Sequence, residues 1–159
     1  MELSLLQEDI VNAPYDRIVV HASAACGKTR VMTEKVRQLL RSGVAPSEIA
    51  VITFTRLATS ELRERLGKDN DNGMFVGTIH SLANQFLLSV GIDTDQLIEQ
   101  AKFDDLFLLL KHNPNCVKHF QWVLLDEAQD SDDLQCEFIF DMINPKCFFV
   151  CGDPNQAIY

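Results

Sequence analysis

A chain of 159 residues, 47% of them hydrophobic, is long enough for one compact domain with a substantial core, and no apolar run approaches the roughly 20 residues that span a bilayer. The N-terminus, Met1-Glu2-Leu3-Ser4, lacks the basic start and apolar stretch of a secretory signal, so a cytoplasmic protein without membrane contact is expected. The formal net charge of −9 argues against a basic surface wrapped around nucleic acid, so any such affinity has to come from a local groove.

The charge is unevenly spread. Residues 1–89 carry ten Lys/Arg and ten Asp/Glu, whereas residues 90–159 carry four and thirteen. Arg56, Arg63, Arg65 and Lys68 could form a basic rim, or simply the solvated face of a helix. The five cysteines form no CxxC pair, and no disulfide framework is expected. His112, Cys116 and His119 have helical spacing, but Pro114 interrupts the helix and a fourth ligand is missing, so no structural metal is expected.

In chain order, short β-branched and apolar runs alternate with segments of helical period. The run Arg17–His21 predicts a strand, followed by Ala22-Ser23-Ala24-Ala25-Cys26-Gly27-Lys28-Thr29 and a helix over Lys28–Arg41. Strand, loop and helix in this order make a phosphate-binding loop: backbone N–H groups and the helix N-terminus offer partial positive charge, Lys28 adds a full charge, and Thr29 offers a hydroxyl to Mg²⁺. The strict pattern begins with Gly where this chain has Ala22, and taken alone Gly-Lys-Thr after a strand also fits an ordinary tight turn.

Next come a strand over Ile49–Phe54, a helix over Thr59–Leu66, a strand over Met74–Gly77 and a helix over Ser81–Val90. Residues Gly91–Phe120 break the alternation, being helical in pattern with no strand, and read as a small helical insertion on the sheet. The strand Trp122–Asp126 ends in Asp126-Glu127, which puts two carboxylates at the sheet edge that carries the phosphate loop. Asp126 suits Mg²⁺ through its water shell, and Glu127 suits orienting and deprotonating water; an acidic pair at a helix N-terminus is the simpler alternative. A helix over Asp133–Ile143 and a strand over Cys147–Cys151 complete an α/β pattern, a parallel sheet with helices on both faces and one ligand-binding edge.

Several of these segments together resemble the UvrD/Rep/PcrA-type superfamily 1 DNA helicases. Leu5-Leu6-Gln7 resembles the glutamine motif, and Ala22–Thr29 the phosphate loop. Phe54-Thr55-Arg56-Leu57-Ala58 with Glu61 and Arg65 resembles motif Ia, and Gly77-Thr78-Ile79-His80-Ser81 motif Ib. Asp126-Glu127-Ala128-Gln129-Asp130, followed by Gln135, resembles motif II, and Gly152-Asp153-Pro154-Asn155-Gln156-Ala157-Ile158-Tyr159 motif III.

The resemblance implies a RecA-like P-loop NTPase domain over residues 1–159, the ATP-binding first domain of a helicase motor, with ATP and Mg²⁺ as ligands. Gln7 would contact adenine and Arg30 lie beside the base. The loop residues Ala22, Ser23, Ala24, Ala25, Cys26, Gly27, Lys28 and Thr29 would cradle phosphate, and Thr29 and Asp126 would hold the metal. Lys28, Asp126, Glu127 and Gln156 would serve hydrolysis. Phe54, Thr55, Thr78, His80 and Tyr159 would line a path for single-stranded DNA, though Phe54 equally fits a core position at a strand end.

The chain also departs from the pattern. Ser23 and Ala25 stand where the family usually has Gly, and Arg56-Leu57 replaces Asn-Lys. Only 46 positions separate His80 from Asp126, so the accessory subdomain of the family is read as pared down to residues 91–120. The sequence ends at Tyr159, ahead of the second RecA-like domain that completes the family's motor. The chain by itself is therefore expected to bind nucleotide, to hydrolyse it weakly at most, to bind DNA weakly and not to unwind it. The alternative is a nucleotide-binding module that docks a partner with little or no hydrolysis. A small phosphotransferase leaves the motif Ib and III resemblances unexplained.

Overall fold

The computed structural model describes residues 3–22 and 26–153, the side chains of residues 70–72 excepted. Ser23, Ala24, Ala25, Gln156 and Tyr159 lie outside the described residues.

Five strands form one sheet in the order β1-β5-β4-β2-β3: β1 is Arg17–His21, β2 Ile49–Thr53, β3 Phe75–Thr78, β4 Trp122–Leu125 and β5 Cys147–Gly152. Every neighbouring pair is parallel, so all five C-terminal ends lie on one edge, as the alternating pattern predicts. The central strands β2 and β4 are buried at every position, which is what a parallel sheet covered on both faces requires. β1, at the sheet's edge, alternates between exposed and half-buried residues instead.

Two cores result from the period-two alternation of the strands. On one face Ile49, Val51, Trp122, Leu124 and Phe149 meet α2 (Lys28–Arg41), α3 (Arg56–Leu66) and Val11 of α1 (Leu5–Asn12). On the other, Ala50, Ile52, Val123, Leu125 and Val150 meet α4 (Ile79–Ser89), α6 (Phe103–His112) and the helical turns after α7 (Asp133–Glu137). α2 forms because Met32, Val36 and Leu39 recur at helical spacing and all face the sheet, 3% exposed or less. Beyond Arg41, Gly43 takes a positive φ of 92°, which ends the helix.

Three elements differ most from the sequence pattern, while the bounds of β2, β3, β4, β5 and α4 shift by one or two residues. α1 is absent from it: eight residues with one buried apolar side chain, Val11, give too weak a period, and the helix is set by a capping box in which Ser4 and Gln7 bond each other's backbone N–H. α3 begins at Arg56 rather than Thr59, because the Thr55 hydroxyl accepts from Ala58 N at 3.1 Å and caps it. The helix expected over Asp133–Ile143 is α-helical only to Glu137; residues Phe138–Ile143 form wider π turns, which bring Phe138 and Ile143, five positions apart, into the same core.

The segment 91–120 holds α5 (Asp95–Glu99), α6 and a 3₁₀ turn at Pro114–Cys116, with no strand. α6 is no loose appendage. Leu106, Phe107 and Leu110 are 1% exposed or less, and Phe107 lies 5.3 Å from the Phe138 ring. His112, Cys116 and His119 do not converge: each is engaged with a different backbone carbonyl, of Leu108, Asn113 and Ile143. No helix among the described residues is long and apolar enough to cross a membrane.

Candidate functional site

β1 delivers the chain to the loop at Ala22, whose N–H donates to Gly152 O at 3.1 Å and so ties the loop's start to the end of β5. Gly27 opens α2 at φ 80°, a left-handed conformation that favours glycine; a Cβ there would also lie 3.0 Å from Gln7 Nε2. Lys28 follows and is 8% exposed, and Cys26, before the glycine, is exposed.

β4 brings the acidic pair to the same edge. Lys28 Nζ donates to Glu127 Oε2 at 2.7 Å, joining residues 99 positions apart in the chain. Asp126 is 4% exposed, and its N–H bonds Ile52 O at 3.0 Å. Glu127 adopts φ 49°. Such a left-handed conformation costs a non-glycine residue about 1–3 kcal/mol and concentrates at functional sites.

The charges act on one another. Burial alone would lower the Lys28 ammonium, but the hydrogen bond and charge of Glu127, with Asp126 and Asp153 behind it, hold it above its ordinary value. Glu127 is likewise pushed up by burial, yet the hydrogen bonds from Gln129 and Lys28 prevail and keep its carboxyl below the usual range. Asp126 is raised by burial and by the neighbouring Glu127 charge. No group of three or more His, Cys, Asp or Glu that could hold a metal occurs among the described residues, but a buried carboxyl beside a second carboxylate is a site whose electrostatics a divalent cation shared with a bound phosphate would relieve.

Two contributors carried no role in the sequence reading. Gln129 Nε2 donates to Glu127 Oε2 at 2.8 Å while its Oε1 accepts from Asp153 N at 3.0 Å, so one carboxamide links the acidic pair to the end of β5. A Cβ at Gly152 would sit 3.0 Å from that oxygen, which is why the close approach needs glycine. Asp153 itself is 3% exposed beside the site. Both residues stand inside recognised motifs, but only their spatial closeness reveals what they touch.

Gln7 lies against the loop: its Nε2 donates to Cys26 O at 3.1 Å and its Oε1 accepts from Ser4 N at 3.0 Å. Arg30 lines a shallow groove between α2 and α3 together with Thr33, Glu34, Arg37 and Arg65. Thr29 is half-buried at the first turn of α2, where its carbonyl accepts from Thr33 Oγ1.

A second feature occupies the same edge of the sheet. A groove of about 490 Å³ runs past the ends of β2 and β3, lined by Phe54, Thr78 and His80 and by Arg56 and Arg63. Among the described residues no acidic side chain lines it, against a chain of net charge −9. Of the expected basic rim, Arg56 and Arg63 face this groove, whereas Arg65 pairs with Glu61 and lines the other one. Thr55 is not among the lining residues, its hydroxyl being engaged as the cap of α3. Phe54 packs partly buried against the core and also lines the groove. α5 and α6 supply the far wall with Ile98, Phe103 and Leu106; the His80 ring sits 4.9 Å from Phe103 and 5.6 Å from Phe107, and burial lowers its pKa against the opposing pull of Asp104 and Asp132.

A parallel sheet with a lysine-bearing loop after β1, an acidic pair after β4, and β5 inserted between those two strands defines an α/β domain of the RecA-like class. The UvrD/REP helicase N-terminal domain family matches residues 3–111 and again 92–159, and the chain belongs to that family. DNA helicase II of Escherichia coli (strain K12) is 36% identical over 93 residues, covering 56% of this chain and 13% of that protein. ATP-dependent DNA helicase Rep of the same organism is 26% identical over 248 positions, covering 100% of this chain and 37% of that protein. A probable DNA helicase II homolog of Mycoplasma capricolum is 25% identical over 231 positions, covering 87% of this chain and 32% of that protein. The chain thus spans well under half the length of these relatives.

Proposed function

We propose that the chain is the ATP-binding domain of a DNA helicase or translocase motor, and that it binds ATP with Mg²⁺ at the junction of the phosphate loop and the acidic pair. The observation that supports this reading is the 2.7 Å contact between Lys28 and Glu127, which brings a buried lysine and a carboxylate together at one sheet edge. Lys28 would neutralise phosphate charge, and in binding it would give up Glu127. Thr29 and Asp126 would hold the metal, which supplies charge neutralisation across the phosphates. Glu127, freed from Lys28 but still held by Gln129, would orient water and accept its proton. Gln7 would read adenine by exchanging one of its present partners for the base, with Arg30 beside it; Gln156 would respond to the terminal phosphate. Calorimetric titration with ATP is expected to show binding that weakens at least tenfold (~1.4 kcal/mol) when Mg²⁺ is replaced by EDTA. Equal affinity in both conditions would remove the metal from the reading.

The groove is the second half of the proposal. Phe54, Thr78 and His80, with Tyr159 beyond the described residues, would form a path for single-stranded DNA, with bases stacking on rings and phosphates meeting Arg56 and Arg63. The apolar wall and the lack of lining carboxylates among the described residues support it. Fluorescence anisotropy with a labelled oligonucleotide is expected to show weak binding that falls with salt. Phe54→Ala should lower it by about tenfold, on the order of one stacked base. Indifference to both salt and Phe54→Ala would leave the groove without this role.

The short segment 91–120 is proposed to stand in place of a larger accessory subdomain. The alignment with Rep extends over 248 positions against 159 residues here, so about 89 positions of the relative have no counterpart in this chain. The two family matches overlap only at residues 92–111, which is where such an interruption would fall.

A further inference from the structure

Among the described residues α1 is joined to the rest of the domain by two polar contacts, and one of them comes from a buried cation. At its first turn Gln7 Nε2 donates to Cys26 O at 3.1 Å. At its last turn Val11 O accepts from Lys35 Nζ at 3.0 Å. Lys35 stands on α2, is 2% exposed, and holds its ammonium 5.3 Å from the Trp122 ring of β4. No carboxylate pairs with it among the described residues, and burial draws its pKa down.

An ammonium in such a place is costly, since one carbonyl and one ring face replace a full hydration shell, whereas a methionine would fill similar volume without that cost. What the charge supplies is a directed contact to the carbonyl end of α1, where the helix dipole is negative. α1 has little else to fix it. Val11 is its one buried residue and Ile10 packs partly buried against the same core, while Leu5 and Leu6 are 82% and 69% exposed. With so small an apolar contact, a helix can slide or rotate on its neighbour, and directed polar bonds decide where its side chains point. Lys28 and Lys35 are seven positions apart on α2, two turns, so both lie on the same side of that helix.

We propose that Lys35 is a positioning residue for nucleotide recognition: it pins the C-terminal end of α1 to α2 and thereby keeps Gln7 against Cys26 and Gly27, where the base is to be read. This rests on the nucleotide-binding reading above. Its consequence is a separation of two binding contributions. Contacts to the base depend on Lys35, and contacts to the phosphates, made by the first turn of α2 itself, do not.

The experiment is a pair of calorimetric titrations, with ATP·Mg²⁺ and with inorganic tripolyphosphate·Mg²⁺, on the wild type, Lys35→Met, Lys35→Arg, Gln7→Ala and the Lys35→Met/Gln7→Ala double variant. Lys35→Met is expected to weaken ATP by about tenfold, the size of one charge-assisted hydrogen bond, and tripolyphosphate by less than about twofold. Lys35→Arg should keep ATP affinity, because a guanidinium can still donate to Val11 O. Gln7→Ala should reproduce the loss, and the double variant should be no weaker than Gln7→Ala alone, since residues acting through one contact are not additive. Where Lys35→Met does not fold, Lys35→Gln, polar but too short to reach Val11 O, takes its place. Equal losses for both probes, additive losses in the double variant, or unchanged ATP affinity would each overturn the proposal. A wild type that binds neither probe would instead sink the nucleotide-binding reading, and this one with it.

Discussion

Lys28→Ala is expected to lower affinity for ATP·Mg²⁺ by about a hundredfold or more, the loss of roughly 3 kcal/mol that accompanies removal of a charged donor from a phosphate site. The side chain is 7% exposed and has its ammonium at the acidic edge of the sheet, so no other lysine or arginine of the described loop substitutes for it. The variant has a second effect. Without Lys28, Glu127 keeps the Gln129 hydrogen bond but loses the hydrogen bond and the positive charge of Lys28, which help to hold its carboxyl down. The fold should survive, because the ion pair is half-open to solvent at Glu127 and such pairs contribute little. Calorimetry decides the question together with a thermal melt: unchanged affinity in a folded Lys28→Ala protein removes the phosphate-loop assignment altogether.

Phe107→Ala is expected to cost about 3–5 kcal/mol of folding stability, the usual range for emptying a large aromatic site in a packed interior. For a domain whose total stability is on the order of 5–15 kcal/mol, that brings the protein close to unfolding near body temperature. Phe107 is fully buried, stands 5.3 Å from the Phe138 ring and 5.6 Å from the His80 ring, and joins α6 to both the π turns and the groove. Leu108, next in sequence but 42% exposed, serves as the control, and Leu108→Ala should change stability by less than about 1 kcal/mol. Urea denaturation measures both. A loss below about 1 kcal/mol for Phe107→Ala would mean that α6 is not part of the central core.

The two variants probe different things, and the difference follows chain distance. Lys28 could be picked out because its neighbours in sequence, a strand before and a helical period after, define its surroundings. Phe107 sits among Leu106, Leu108, Leu109 and Leu110, and the helical spacing of Leu106, Leu109 and Leu110 does not single it out as facing inward. The structure selects Leu106, Phe107 and Leu110 because α4 and the turns at Phe138–Ile143 lie on that side.

What the sequence by itself determined is the set of properties carried by short-range pattern. Strand and helix periods, a Gly-Lys-Thr turn, an acidic pair at a strand end and the order of the motifs are all local, and together they specified an α/β domain, the sheet edge that carries the candidate site, and its family. Even there the weak periods were missed, as α1 shows with its one buried residue, and the passage from α-helix to π turns after Glu137 left no mark on the apolar spacing. Only the tertiary structure decided which residues meet. Lys28 finds Glu127 across 99 positions and Gln129 finds Asp153 across 24, because the strand order β1-β5-β4 and its register place those chain segments side by side, and Lys35 finds Val11 across 24 because α1 packs on α2. Hydrogen bonds act over about 3 Å and the burial of a charge depends on every neighbour at once, so neither follows from the local period of a sequence.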